Sequence, residues 1–492
     1  MPRALRLVLA LALLLPFSGA LRAQADDPAP EDPKRKTYEG KVKDARKKAA
    51  SKHSDLGEWL YGKKLYAESI PEYERALSYD ADHSKARERM GFVKKEGGGW
   101  NADPKKAPKR KSECPEEKKY AYLDEFANKV KKEGHELAEV FWSLGDWCKK
   151  NGFAAEAEDA CRMCIDHERD HAKAREALGF KKDSGGAWVG ASDRAEKDAM
   201  GKKAASASEG RPIQKATADD KAIGATLTKR ESAHFFFQTS SPDKLLAECV
   251  RLAETTREEF YTQFEIPADR VLVEGLVWGI LLTKQAEYHA WIDQMVDGSQ
   301  GNRDQLKRTG GHLKHEPPQY IGYHDDENST KDFVVHYTIH VLHHYYMNPA
   351  AGAMQPWLYE GTGHYFSHRL LRTGLTNCFT QATGDTSKKG VPRDSDWWKQ
   401  FIREAVVGGR DPEMRILMTA GINQLDGEML VKAWSVIEWL MGTKRSEMLA
   451  FHEALKSTDG KAESQESALK AAFGAGYIEL DQAWREYVRK SY

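Results

Sequence analysis

The stretch Val334-Val335-His336-Tyr337-Thr338-Ile339-His340-Val341-Leu342, with Pro356-Trp357-Leu358-Tyr359-Glu360-Gly361 following it, decides how this chain is read. Residues four apart on an α-helix share one face, so His336 and His340 can aim both imidazoles at a single Zn²⁺ at about 2.0–2.1 Å. Glu360, twenty residues after His340 in a second expected helix, is a further candidate donor. Tyr337 follows the first histidine, and an ordinary phenol with a pKa of about 10 is a donor at neutral pH and not a base. Two further rows are written into the same helices: His344 continues the first, and His364 and His368 continue the second from Glu360. These three are candidate alternative ligands or supports, and such nitrogen donors suit Zn²⁺, Ni²⁺ or Cu²⁺. The competing reading is a scaffold in which the histidines only pack and hydrogen-bond.

Outward from this motif, residues 226–492 read as one α+β domain. His234–Thr239 is expected as a strand and Asp243–Phe264 as a helix whose inner face carries Leu245, Leu246, Cys249, Leu252, Ala253 and Phe260. Val271–Leu282 is a second apolar, β-branched stretch, and Gln319–Tyr323 is expected as an edge strand beside the site. The rest is largely helical, with helices over Met429–Met441, Glu447–Lys456 and Leu480–Arg489. Strands first and helices later imply an α+β class with a helical C-terminal subdomain.

Upstream, a shift of 88 residues superposes Leu56-Gly57-Glu58-Trp59 on Leu144-Gly145-Asp146-Trp147. The same shift places Asp82-His83-Ser84-Lys85-Ala86-Arg87-Glu88 on Asp170-His171-Ala172-Lys173-Ala174-Arg175-Glu176. The chain therefore contains an internal duplication, with one copy over 53–100 and, within 101–190, a basic segment (Asn101–Lys119) followed by the second copy. Residues 26–52 read as a charged tether and 191–225, rich in Ala, Lys, Ser and Asp, as a linker. Residues 1–25 carry Arg3 and Arg6, an apolar run over Leu7–Phe17 and a small-residue exit at Ala23-Gln24-Ala25, the pattern of a secretory signal peptide. The protein is thus expected to be exported, periplasmic or extracellular, with no membrane span.

The duplicated helices, with small residues at their close approaches, resemble the tetratricopeptide repeat, and the resemblance implies a surface that docks a protein or peptide; a plain helical spacer is the alternative. Residues 226–492 resemble the gluzincin, peptidase-MA-like metallopeptidases, whose motif reads H-E-x-x-H followed by W-L-x-E-G. That resemblance implies a zincin-like fold and maps the zinc ligands onto His336, His340 and Glu360. The catalytic general base maps onto Tyr337, and an acidic residue four past the ligand glutamate maps onto His364, so two acids of the family pattern are gone. Loss of carboxylates behind a ligating imidazole weakens metal binding about 10- to 100-fold. Glu327 and Asp332 are the nearest acids in sequence that could substitute as base, although their spacing does not favour it.

Seventy-five basic and seventy-five acidic side chains cancel, which removes the electrostatic case for nucleic acid. The six cysteines could be oxidised outside the cytoplasm; Cys161 and Cys164, at i and i+3 of an amphipathic helix, read as buried thiols or as one partner of a disulfide to Cys148 or Cys114. Three functional readings remain: an exported pseudo-metallopeptidase that binds a divalent metal or a peptide, an active zinc peptidase with a relocated base, and a purely structural interaction protein.

Overall fold

The computed structural model describes residues 33–109, 111–182, 188–347, 355–376, 378, 395–407, 409–458 and 461–492. The signal-peptide reading over 1–25 lies outside them. The expected tether is helical from its eighth residue onward, as α1 (Pro33–Gly62). Lysine and alanine are good helix formers, and Ala45 and Ala49 form a narrow buried seam against Leu137, Ala138 and Phe141. That seam outweighs the surrounding charge, which stays in solvent.

The duplication is visible element by element. After α1 come α2 (Tyr66–Tyr79), α3 (Ser84–Arg89), β1 (Phe92–Lys94) and β2 (Trp100–Ala102). After α4 (Glu116–Lys150) come α5 (Ala154–His167), α6 (Ala172–Ala177), β3 (Lys181–Lys182) and β4 (Trp188–Val189). His83 and His171 do the same work in the two copies, each accepting at Nδ1 from the backbone of the third residue on, Ala86 at 3.4 Å and Ala174 at 3.2 Å. Gly97, Gly98 and Gly99, all at positive φ, turn the β1–β2 hairpin. The matching Gly185-Gly186 lies outside the described residues. Cys148, Cys161 and Cys164 are buried free thiols and Cys114 is free as well, so no disulfide joins them.

The expected linker is also structured. It forms α7 (Ala191–Ser206), β5 (Arg211–Pro212) and α8 (Ala218–Ile223), with α7 tied down by Lys203–Glu259 at 3.0 Å and Asp193–Arg372 at 3.0 Å. Beyond it run β6 (Thr228–Glu231), β7 (Phe235–Thr239), α9 (Asp243–Gln263), β8 (Val277–Leu282), α10 (Gln285–Met295), α11 (Gln300–Thr309), β9 (Gly311–Lys314) and β10 (Gln319–Tyr323). The sheet order is β5-β6-β7-β8-β10-β9, with β7, β8 and β10 parallel and the others antiparallel to their neighbours. Gln319–Tyr323 is therefore an inner strand; β9 is the edge. The second strand is also shorter than its apolar stretch, beginning at Val277 and not Val271.

Both motif helices are buried. In α12 (Glu327–Met347) every residue from Asp332 to His343 is buried. This segment is rich in valine, isoleucine and threonine, which alone favour strands; as a helix it satisfies its own buried backbone without a neighbouring strand. Phe333, Val334, Tyr337 and Val341 pack with sheet and α9 residues, while Val335, Ile339 and Leu342 face the larger helical core. α13 (Pro356–Leu371) starts with proline at its first turn, where no amide donor is needed, and stops at Arg372 in the left-handed conformation (φ 59°).

The rest is helical: α14 (Ser395–Val407), α15 (Met414–Thr419), α16 (Gly427–Thr443), α17 (Arg445–Leu455), α18 (Ala462–Phe473) and α19 (Tyr477–Ser491). Trp357, Trp398, Trp434 and Trp484 are fully buried in this subdomain, and burying a large apolar side chain stabilises by about 1.5–3 kcal/mol. The whole is an α+β structure. The duplicated module docks on α14 through a bidentate Arg403–Asp166 pair (2.7 and 3.0 Å), Arg175 to Gln400 (3.0 Å) and Gln400 to the Ile165 carbonyl (3.2 Å). Among the described residues, no helix is long and apolar enough to cross a membrane.

Candidate metal centre

α12 and α13 pack side by side and bring His336, His340 and Glu360 together, all buried. The close approach depends on Gly363: a Cβ there would stand 2.7–3.0 Å from the His336 ring. Both histidines present Nε2 to the carboxylate, His336 at 3.5 Å from Oε2 and His340 at 3.3 Å from Oε1. A fourth donor, which the sequence reading missed, is Cys378, whose Sγ lies 3.3 Å from His340 Nε2 and 3.6 Å from His336 Nε2. The four donor atoms all lie within 4.8 Å of one another. A tetrahedral ion with bonds of about 2.0–2.3 Å sets its ligand atoms about 3.3–3.8 Å apart, so the four distances just given fit one ion at the centre.

The donor set also fits chemically. Both Glu360 oxygens are buried without a hydrogen-bond partner of good geometry, an arrangement that a cation would relieve. Burial pushes the Glu360 carboxyl up, but the facing imidazoles of His336 and His340 outweigh it and hold the group well below its ordinary range. His340 is pulled down to about 4, by burial first and by His336 second, which leaves its imidazole neutral and able to ligate. The Cys378 thiol is pushed well up by burial and by the charge on Glu360. A bound divalent cation reverses that last effect, since a coordinating thiol is deprotonated outright.

Tyr337 stands beside the cluster, with its phenol hydrogen-bonded to Cys378 and burial, then Cys378, raising its pKa well above 10. It is a donor, as its sequence position implies. Neither acid considered as a substitute base reaches the cluster. The Asp332 carboxylate accepts from the Thr373 hydroxyl at 2.8 Å and from the Leu375 and Thr376 amides at 3.1 and 2.8 Å. Glu327 is exposed at the start of α12, nine residues or about 13 Å of helix from His336.

The three supplementary histidines do not join the four-donor group. His364 packs its ring edge-on to His336, 4.7 Å between centroids, and both its nitrogens are buried without a partner. His368 bonds Ser395 through Nδ1 at 2.8 Å, and His344 stacks on His315 at 3.5 Å. Helix periodicity placed them on the right faces but too far along the axis. The Nδ1 atoms of His336 and His340 are also buried without partners among the described residues, none of which offers the carboxylate support expected behind a ligating imidazole. His340 is instead held by face-to-face stacking on Tyr359, at 3.6 Å and 4°. No protein-family model matches the chain, and no curated protein sequence matches it.

Proposed function

We propose that this protein is a metal-binding relative of the gluzincin peptidases that has lost hydrolysis, with Zn²⁺ as its ion, and that its duplicated helices dock a protein or peptide partner. The observation that carries the reading is the convergence of two imidazoles, a carboxylate and a thiol at tetrahedral spacing. Catalytic zinc sites use three protein ligands and leave a fourth position for water, whereas sites that only bind use four. Cys378 occupies the position that water needs, and the residue beside it is a phenol. A general base contributes about 10²–10⁴-fold to such a reaction, and none of the acids weighed for that role faces the cluster. An ion held by the four donors would polarise no water; His336, His340, Glu360 and Cys378 would hold it, and Tyr337 would donate to the sulfur. The docking part of the proposal is supported by a cavity of about 390 Å³ along α1, lined by Tyr38, Val42, Lys43, Arg46, Lys47 and Tyr79.

The test is metal content by mass spectrometry on protein purified without chelator or affinity metal, beside the double variant His336→Ala/His340→Ala. One zinc per chain, lost in the variant, together with no cleavage of an unfolded substrate, is the expected result. Cleavage that disappears in Glu360→Ala would establish an active peptidase instead. No metal in either protein would leave the scaffold reading.

A further inference from the structure

Resting on the reading that the four donors hold one ion, we propose that Asp332 is a positioning residue for the cysteine ligand. It fixes the chain that carries Cys378 to the same helix that carries His336 and His340. Asp332 sits one helical turn before His336 and is fully buried. After Arg372 turns the chain at the end of α13, residues 373–376 run past the Asp332 side chain and are gathered by it. One carboxylate oxygen accepts from the Thr373 hydroxyl, and the other accepts from two successive amides, Leu375 and Thr376. The opposite side of this segment is closed as well: a Cβ at Gly374 would stand 2.7 Å from Trp398 and 2.8 Å from His368 Nε2. The last anchored amide is two residues before Cys378.

This arrangement has a direct geometric consequence. The two imidazoles are rigid with respect to Asp332 because all three side chains leave one helix. A segment tied to Asp332 by three hydrogen bonds inherits that frame, so the sulfur meets the imidazoles at a set distance although it lies 38 residues beyond His340. Leaving two buried amides without an acceptor is costly. Asp332 is thus spent on delivering a ligand and has no free oxygen directed at the chemistry of a peptidase.

Cobalt(II) tests this, because a thiolate ligand gives a sulfur-to-cobalt charge-transfer band in the near ultraviolet that histidine and glutamate do not. Wild type loaded with Co²⁺ is expected to show the band, and Cys378→Ser to lack it. Asp332→Ala is expected to lose the band while keeping the visible ligand-field absorption of the remaining donors, with affinity for Co²⁺ reduced about 10- to 100-fold. Asp332→Asn keeps an oxygen for the two amides and can donate to the Thr373 hydroxyl, so it is expected to retain the band. An Asp332→Ala protein with the full wild-type band overturns the positioning role. Should that variant not fold, Thr373→Val decides: a weakened band supports the role and an unchanged one overturns it. Wild type without the band would instead refute the cysteine ligation on which the inference rests, and so separates the two failures.

Discussion

Gly363→Ala is the sharpest perturbation of the metal centre, because it adds one methyl group and touches one ligand. On an exposed helix this change would stabilise by about 0.5–1 kcal/mol through backbone entropy. Here the new Cβ would stand 2.7, 2.9 and 3.0 Å from three atoms of the His336 imidazole, 0.4–0.7 Å inside the 3.4 Å of ordinary contact. Overpacking of a closed interior costs about 1–3 kcal/mol, so the steric term outweighs the propensity term. The ring must yield, and a site of this kind tolerates only about 0.5 Å of displacement before its geometry is lost. If the overpacking cost is borne by the metal-bound state, affinity falls by about 5- to 150-fold, at tenfold per 1.4 kcal/mol. Competition for Zn²⁺ against a chromophoric chelator measures this, with the melting temperature of the metal-free protein as control. Wild-type zinc affinity and an unchanged melting temperature in Gly363→Ala would refute the placement of His336 against α13, and with it the tetrahedral fit.

Three further outcomes can be checked by simpler means. His167 lies in a column of rings with His53, Tyr79 and Phe141, and burial, then His53 and Arg75, pulls its pKa well below 6.5. The unfolded chain therefore takes up a proton that the folded chain refuses, and stability falls as pH drops below about 6.5. His167→Phe is expected to make the urea midpoint less pH-dependent, by at most about 1.4 kcal/mol per pH unit, and an identical slope in both proteins would count against it. Lys432, fully buried between Asp411 (2.9 Å) and Asp481 (2.6 Å), has a different role. Arg485 also reaches both carboxylates, at 3.0 Å each. Lys432→Met therefore removes the more buried of their two cations and is expected to cost about 1.5–3 kcal/mol in urea unfolding, whereas a loss under about 1 kcal/mol would mean that Arg485 satisfies the acids without it. Finally, Tyr337→Glu combined with Cys378→Ala restores a base and an open position; measurable cleavage of an unfolded protein, absent from either single variant, is expected if the scaffold is peptidase-derived.

Three of the four candidate donors were legible in the sequence, two through helix periodicity and the third through the pattern W-L-x-E-G that carries the resemblance. His336 and His340 are one turn apart, and Glu360 sits in a second apolar helix of recognisable pattern. Cys378 was not legible, since it lies beyond the end of α13 where no periodicity relates it to anything; its only trace was membership among six cysteines. Asp332 was noticed for its charge, yet its partners are two amides and a hydroxyl brought back by a turn that no local pattern announces. The edge strand β9 went unread because Gly311-His312-Leu313-Lys314 offers a single strongly apolar residue. The tether and linker were misread for one reason: charge dominated the composition, while the seam of small side chains that makes α1 pack is only a few alanines wide.

The divergence between the two copies of the duplication has a wider meaning. Asp166 and Arg175 fasten the second copy to α14, while the residues 88 positions earlier are Ser78 and Arg87. Arg87 still bonds the carbonyl of its own turn, Ala81 at 2.6 Å, just as Arg175 bonds that of Arg169 at 2.9 Å. The internal brace is common to both copies, and in the second the same arginine also reaches Gln400. The second copy is thus a bracket on α14, and at these two positions the earlier copy does not share that duty. A molecule gripped by the earlier copy would therefore be held in a fixed attitude toward the metal helices, like a workpiece in a vice bolted to the bench.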